Sequence, residues 1–399
     1  MLLPVPLRGA EPLKDNIAKL VSPVTAEARA GEAWLAKQGA EVIAELIEQV
    51  EQGEPKRPAE AIESLLLLVS PWQRGIERGK RHHGQIELFR PTRPAGRPVG
   101  HPQAAQLRKV LLATLTKALQ EVEREPPADG DYTAYSQHSR LISASGAALA
   151  EVADDRAAQA IRGLLEKETD PMFGARLMRC LETIYGLPSF FHGHGICGVG
   201  LTPEALREHQ KREAVAFEKQ KQELLAWLGK HAQKPTADRI DAAIGLWAER
   251  YAVTPMYYIS RGNDSPILVL ARLGDAAVPG LRRQQTRETS LLGRGFFEVA
   301  IATIAGTVDD RLVRELIDAE HLADPNLHLI ACEIIALSNS QAYQRELAAM
   351  LSDSRYSSHE VAHTLAIVHR HDALPLLRMQ PEINFTAHCA VKELESWAR

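Results

Sequence analysis

Leu270-Ala-Arg-Leu273 runs into Gly274-Asp-Ala-Ala-Val-Pro-Gly-Leu281, and further along Leu365-Ala-Ile-Val368 runs into His371-Asp-Ala-Leu-Pro-Leu-Leu377. Each stretch is an apolar helical phrase, a break, and a second apolar helical phrase. The anchors Leu270, Ile301, Ile334, Leu365 and Val391 follow one another at steps of 31, 33, 31 and 26 residues, and Leu273, Ile304, Leu337, Val368 and Leu394 stand three positions after them. The second phrases, Asp309 to Ile317 and Gln341 to Leu351, place apolar residues at i, i+3, i+4 and i+7, the spacing of one helix face. A helix pair of this kind buries its apolar face only against a neighbouring pair, so a repeat at this period predicts stacked helices.

The same phrase stands upstream, at Leu149-Ala-Glu-Val152 with Asp154 to Leu165, and again at Leu181-Glu-Thr-Ile184. On these residues the chain resembles the HEAT-repeat (armadillo-like) family of α-solenoids, over residues 138–186 and 262–399. The resemblance implies an all-α, right-handed α-α superhelix, and family members with this pattern serve many functions. The last unit has one helix before Arg399 and reads as a cap.

Around the repeats the chain departs from the pattern. Residues 1–102 form an irregular N-terminal region, with helical patterns from Ala26 to Gln52 and Pro58 to Val69 and a proline-rich stretch, 71–102, through which no helix runs. Gln85 to Phe89 reads as a short strand or extended segment. Repeats occupy 103–186 and 263–399. Between them, 187–262 carries a Gly/His loop, a long charged helix capped by Thr202 with Pro203 at its first position, and a helix from Ala237 to Tyr251. The long helix is expected to pack through Leu206, Ala214, Phe217, Leu224, Leu225 and Leu228.

Composition narrows the class of protein. The 399 residues are 45% hydrophobic and 25% charged, a globular balance, and aromatics at 5% favour helix over sheet. A net charge of −4 supplies no global attraction to nucleic acid or anionic membrane. The four cysteines form no CxxC pair, so reduced thiols are expected and a disulfide framework is not. No apolar run reaches the length of a membrane span and the N-terminus lacks a signal-peptide core, which points to the cytoplasm; an exported chain without its leader would read the same.

Several constellations could carry chemistry. His359-Glu-Val-Ala-His363 matches HExxH, with His359 and His363 one turn apart on a helix face and Glu360 as a base for a bound metal. Ala366 replaces the glycine of the longer zinc-protease pattern, which leaves His369 too far along the helix to join. A plain first helix of a repeat, with Val361, Leu365 and Val368 inward and the histidines near the surface, accounts for the same residues. His359-Glu-Val-Ala-His-Thr-Leu365 is also similar to the His-Glu units of the deoxyhypusine hydroxylases, HEAT-like enzymes that hold two irons. The corresponding positions in the neighbouring repeats, Asp264, Gly295 and His328, do not complete that set.

His192, His194 and Cys197 form a possible metal-ligand trio inside Phe190-Phe-His-Gly-His-Gly-Ile-Cys-Gly-Val-Gly200, which competes with an anchored glycine-rich loop. GxGxxG is met there by Gly193, Gly195 and Gly198, without the preceding strand that a dinucleotide site needs. Arg74, Arg78, Lys80 and Arg81 open a basic stretch with little aromatic interleaving, so nucleic acid is not the expected partner. Trp247, Tyr257 and Tyr258 read as a partner-binding hot spot or as the core of a junction.

Together these observations predict a non-catalytic scaffold whose solenoid groove presents second helices to a protein or peptide. Arg282, Arg283, Arg311 and Arg314 are the exposed contacts, and no cofactor is required. A metal-dependent enzyme or metal-binding protein, using zinc or iron on the His/Cys or His-Glu clusters, is the alternative.

Overall fold

The computed structural model of the protein describes residues 40–52, 103–122, 133–190, 202–251, 266–318, 325–338, 340–353, 358–380 and 385–397, with isolated helical positions between 15 and 65. Every regular element among the described residues is helical. Those up to 164 and those from 165 onward form two compact units.

In the first unit, α1 (Ala40–Gln52) contacts α2 (Ala104–Glu121), which packs along α3 (Thr133–Val152). Leu107, Leu111 and Leu115 of α2 and Ile142, Leu149 and Val152 of α3 are buried. Arg108 closes the end of α3, donating to the Val152 carbonyl at 3.0 Å and pairing with Asp154 at 3.1 Å. The chain continues through α4 (Asp155–Lys167).

The second unit begins with α5 (Pro171–Tyr185), which carries start and stop signals at both ends. Asp170 accepts hydrogen bonds from the amides of Met172 and Phe173, Pro171 fills the first position, and Gly186 ends the helix at φ 66°. The long helix α6 (Pro203–His231) is capped by Thr202 as its sequence predicts, the hydroxyl accepting from the Ala205 amide at 3.3 Å. Its docking is more restricted than the sequence suggests. Phe217, Leu224 and Leu228 are buried, whereas Ala214 is exposed and Leu225 is half-buried; the Leu206 side chain lies outside the described residues.

The reason lies at Phe217, which occupies a space that only glycine leaves open: a Cβ on Gly174 of α5 would meet the ring at 2.1 Å. One turn on, Lys221 is buried and donates to the Glu168 carbonyl at 3.0 Å, with Glu218 at 2.7 Å. Before Phe217 the helix is sustained by surface pairs along its own length, including Glu204 with Arg207 and Glu208 with Arg212. Helix α7 (Thr236–Tyr251) contacts both α5 and α6.

From α8 (Pro266–Ala271) onward the helices alternate in role. The first helices are α8, α10 (Leu291–Ala305), α12 (Pro325–Ser338), α14 (Ser358–His369) and α16 (Phe385–Trp397), and each contacts the next. The second helices α9 (Val278–Arg287), α11 (Asp310–Ile317), α13 (Gln344–Leu351) and α15 (Leu374–Arg378) each contact the first helix that follows them. Short 3₁₀ turns at Asp275–Ala277, Gln341–Tyr343 and Arg370–Ala373 lead into α9, α13 and α15. Of the five anchors of the repeated phrase, Leu270, Ile301, Ile334 and Leu365 are fully buried and Val391, in the last helix, is half-buried. Thr364 donates to the Cys332 carbonyl at 3.4 Å, joining α14 to α12 through residues 32 apart.

Helix α14 is buried from Val361 through His369. His363 and His369 are therefore inside, contrary to the expectation that these histidines lie near the surface. Contacts with α12, α13, α16 and the following 3₁₀ turn leave no solvent face on this part of the helix. Burial lowers the His369 pKa below the usual histidine range, which favours its neutral form.

Candidate functional site

First and second helices of the repeats differ in what they offer to solvent. Along α10, every residue from Phe296 to Ile304 is buried. In α11 only Leu312, Val313 and Leu316 are buried, and Asp310, Arg311 and Arg314 face outward. Helix α13 likewise buries Leu347, Met350 and Leu351 while exposing Arg345, and α9 buries Leu281 while exposing Arg283 and Arg287. The charged, solvent-facing surface of this region is thus built on second helices.

Its arginines are held differently from one another. Arg314 pairs with Glu346 across α11 and α13 at 3.0 Å, and its guanidinium lies 5.6 Å from the Tyr343 ring centre. The Tyr343 hydroxyl donates to Asp310. Burial and the Asp310 carboxylate raise its pKa above the usual tyrosine range, so it stays a donor. Arg283 donates to both carboxylate oxygens of Asp241 on α7 at 2.9 Å. Arg311 is exposed and makes no ion pair among the described residues.

Arg282 differs from the exposed contact expected at its position. It is half-buried and pairs with Glu298, a fully buried residue of α10. Glu298 also accepts from the Gln285 side-chain amide at 2.7 Å and from the Asp309 backbone amide at 2.8 Å. One carboxylate thus ties together α9, α10 and the start of α11. Arg282 is thus engaged in the network that holds the helix pair together rather than being the freely exposed contact expected.

Trp247 is not a surface hot spot. It is fully buried, its indole N–H donates to the Gly186 carbonyl at 2.7 Å, and its ring lies 5.9 Å from that of Phe296. A buried tryptophan with a satisfied N–H is a core residue. Tyr257 and Tyr258 lie outside the described residues, as do Arg74, Arg78, Lys80, Arg81, His192, His194, Cys197 and the 85–89 segment. His359 stands in the first turn of α14, but its side chain is also outside them. Among the described residues no three His, Cys, Asp or Glu side chains gather as a metal site, and no helix is long and apolar enough to cross a membrane.

No family model and no curated protein matches this chain.

Four carboxyls that the sequence does not mark as special, Glu151, Glu168, Glu182 and Glu298, are buried among the described residues. Glu298 sits in Phe296-Phe-Glu-Val-Ala-Ile301, and Glu182 in Cys180-Leu-Glu-Thr-Ile184. An acid enclosed by apolar residues on a helix covered on several sides is the signal that could have found both, because such a charge survives only with partners. Arg287 and Arg345, exposed on second helices without ion pairs among the described residues, extend the basic positions beyond those expected.

Proposed function

We propose that residues 266–397 are part of a right-handed, HEAT-like α-solenoid and that the chain is a non-catalytic scaffold presenting its second helices to a protein or peptide. The observation that carries this reading is the division of labour between the helices: α10, α12 and α14 are almost wholly buried, while α9, α11 and α13 turn charged faces outward. Stacked pairs create extended surface without a reactive pocket, and arginine is favoured where such surfaces recognise partners. Arg283 and Arg314 are pre-positioned by Asp241 and Glu346, and Arg311 is unengaged by any described acid. The cytoplasm is the proposed setting.

The test is affinity capture from the native host with wild-type protein and with Arg283→Glu, Arg311→Glu and Arg314→Glu. Each reversal at a true contact should weaken retention of the same discrete partner roughly tenfold, an effect of about 1.4 kcal/mol. Unchanged retention by all three variants, with circular dichroism confirming their fold, would remove this face from the proposal.

A further inference from the structure

The segment that leaves α5, residues 186–190, is fixed in two different ways at its two ends. At the first end Gly186 is pinned by apolar packing and a neutral hydrogen bond: Trp247 donates to its carbonyl at 2.7 Å, and the Leu273 side chain lies so close that a Cβ there would meet it at 2.4 Å. At the other end the fastening is a pair of hydrogen bonds to side chains. Glu182 accepts from the Phe190 amide at 2.6 Å, and Arg250 of α7 donates to the Ser189 carbonyl at 3.1 Å. The Arg250 guanidinium lies 3.9 Å from the Phe190 ring centre. Leu187 and Phe190, two residues of this strap, are themselves buried.

We propose that residues 187–190 form a pH-responsive latch, closed over α5 and α7 while Glu182 is protonated and released when that carboxyl ionises. Glu182 is only 2% exposed. The Ser189 hydroxyl beside it can donate to a carboxylate or accept from a carboxylic acid, so the closed arrangement satisfies the neutral form as well as the charged one. The charged groups around the site are Arg179 on the same helix, Arg250 on α7, and Glu223 on α6, which draws on Arg250 at 3.2 Å. Lys221 of α6 is directed to Glu168 and Glu218 instead. Arg179 and Arg250 do not balance complete removal from water.

Burial raises the Glu182 pKa to about 7, even though the Phe190 amide, Arg179, Arg250 and Ser189 all act in the opposite direction. In a released strap the carboxyl regains water and its ordinary value of 4.5. The closed state therefore binds the proton more tightly. It is most favoured below about pH 4.5, and its advantage falls about tenfold per pH unit until about pH 7, roughly 300-fold in all, then levels off.

Hydrogen exchange of the Phe190 amide, followed in the intact protein and corrected for the intrinsic pH dependence, tests the latch. Protection should fall about tenfold per pH unit between pH 5 and 7 and flatten above. The Ile301 amide in α10 should not follow it. Glu182→Gln keeps an acceptor for the Phe190 amide but cannot ionise, and should make protection independent of pH. A flat wild-type profile, the same slope in Glu182→Gln, or an equal slope at Ile301 indicating global opening would each overturn the latch. Should Glu182→Gln fail to fold, the wild-type slopes at Phe190 and Ile301 decide the matter without it.

Discussion

Arg282→Ala should destabilise the second unit by about 3 kcal/mol, at the lower end of the cost of breaking a buried ion pair because Arg282 itself remains partly solvated. The loss comes from what is left behind. Glu298 would keep the Gln285 amide and the Asp309 N–H but would lose its only ion-pair partner among the described residues, at a fully buried position. Replacing both partners by apolar residues, as in Arg282→Met with Glu298→Leu, should recover most of that loss, since a buried pair adds little over well-packed hydrocarbon. Urea unfolding of the single and double variants measures this. A double variant as unstable as Arg282→Ala would mean that the Asp309 amide, orphaned by the loss of the carboxylate, dominates the network.

The second large effect is expected at the α5–α6 contact. Phe217→Ala should cost about 3–5 kcal/mol, the usual range for deleting a buried phenylalanine, and should free α6 before the rest of the unit unfolds. Gly174→Leu should produce the same detachment by the opposite means, because its side chain would claim the volume now held by the Phe217 ring. Combining Gly174→Ala with Phe217→Leu returns some volume to both sides and should be milder than either extreme. Limited proteolysis within 203–231 reports the detachment. Equal resistance in wild type and Phe217→Ala would show that Lys221, Leu224 and Leu228 suffice to hold the helix.

The legible parts of this fold were those set by local rules. Thr202 and Pro203 announced the start of α6, Asp309 the start of α11, and four of the five recurring anchors marked positions that are fully buried. Features that depend on neighbouring elements were harder to read. Ala214 fits the helical stripe of α6 but is exposed, while Phe217 three residues on is buried against Gly174, a difference that periodicity alone does not show. The sequence of α14 shows one apolar face and so predicts a surface position for His363, whereas packing covers the helix from several sides. Arg282 and Arg283 are adjacent and chemically identical. One enters a buried network and the other meets Asp241 at the surface, a difference fixed by Glu298 sixteen residues away. Among the candidate contacts, the second-helix arginines could be named from the sequence, but their pairing could not.

Site-specific photo-crosslinking tests the scaffold reading most directly. A photoreactive residue placed singly at Arg287, Arg311 and Arg345, on second helices, is compared with one at Lys211 on the exposed part of α6, each in the full chain expressed in its native host. The scaffold account predicts covalent adducts to the same discrete protein from the second-helix positions and none from Lys211. Adducts at all four positions alike, or at none of them, would contradict it.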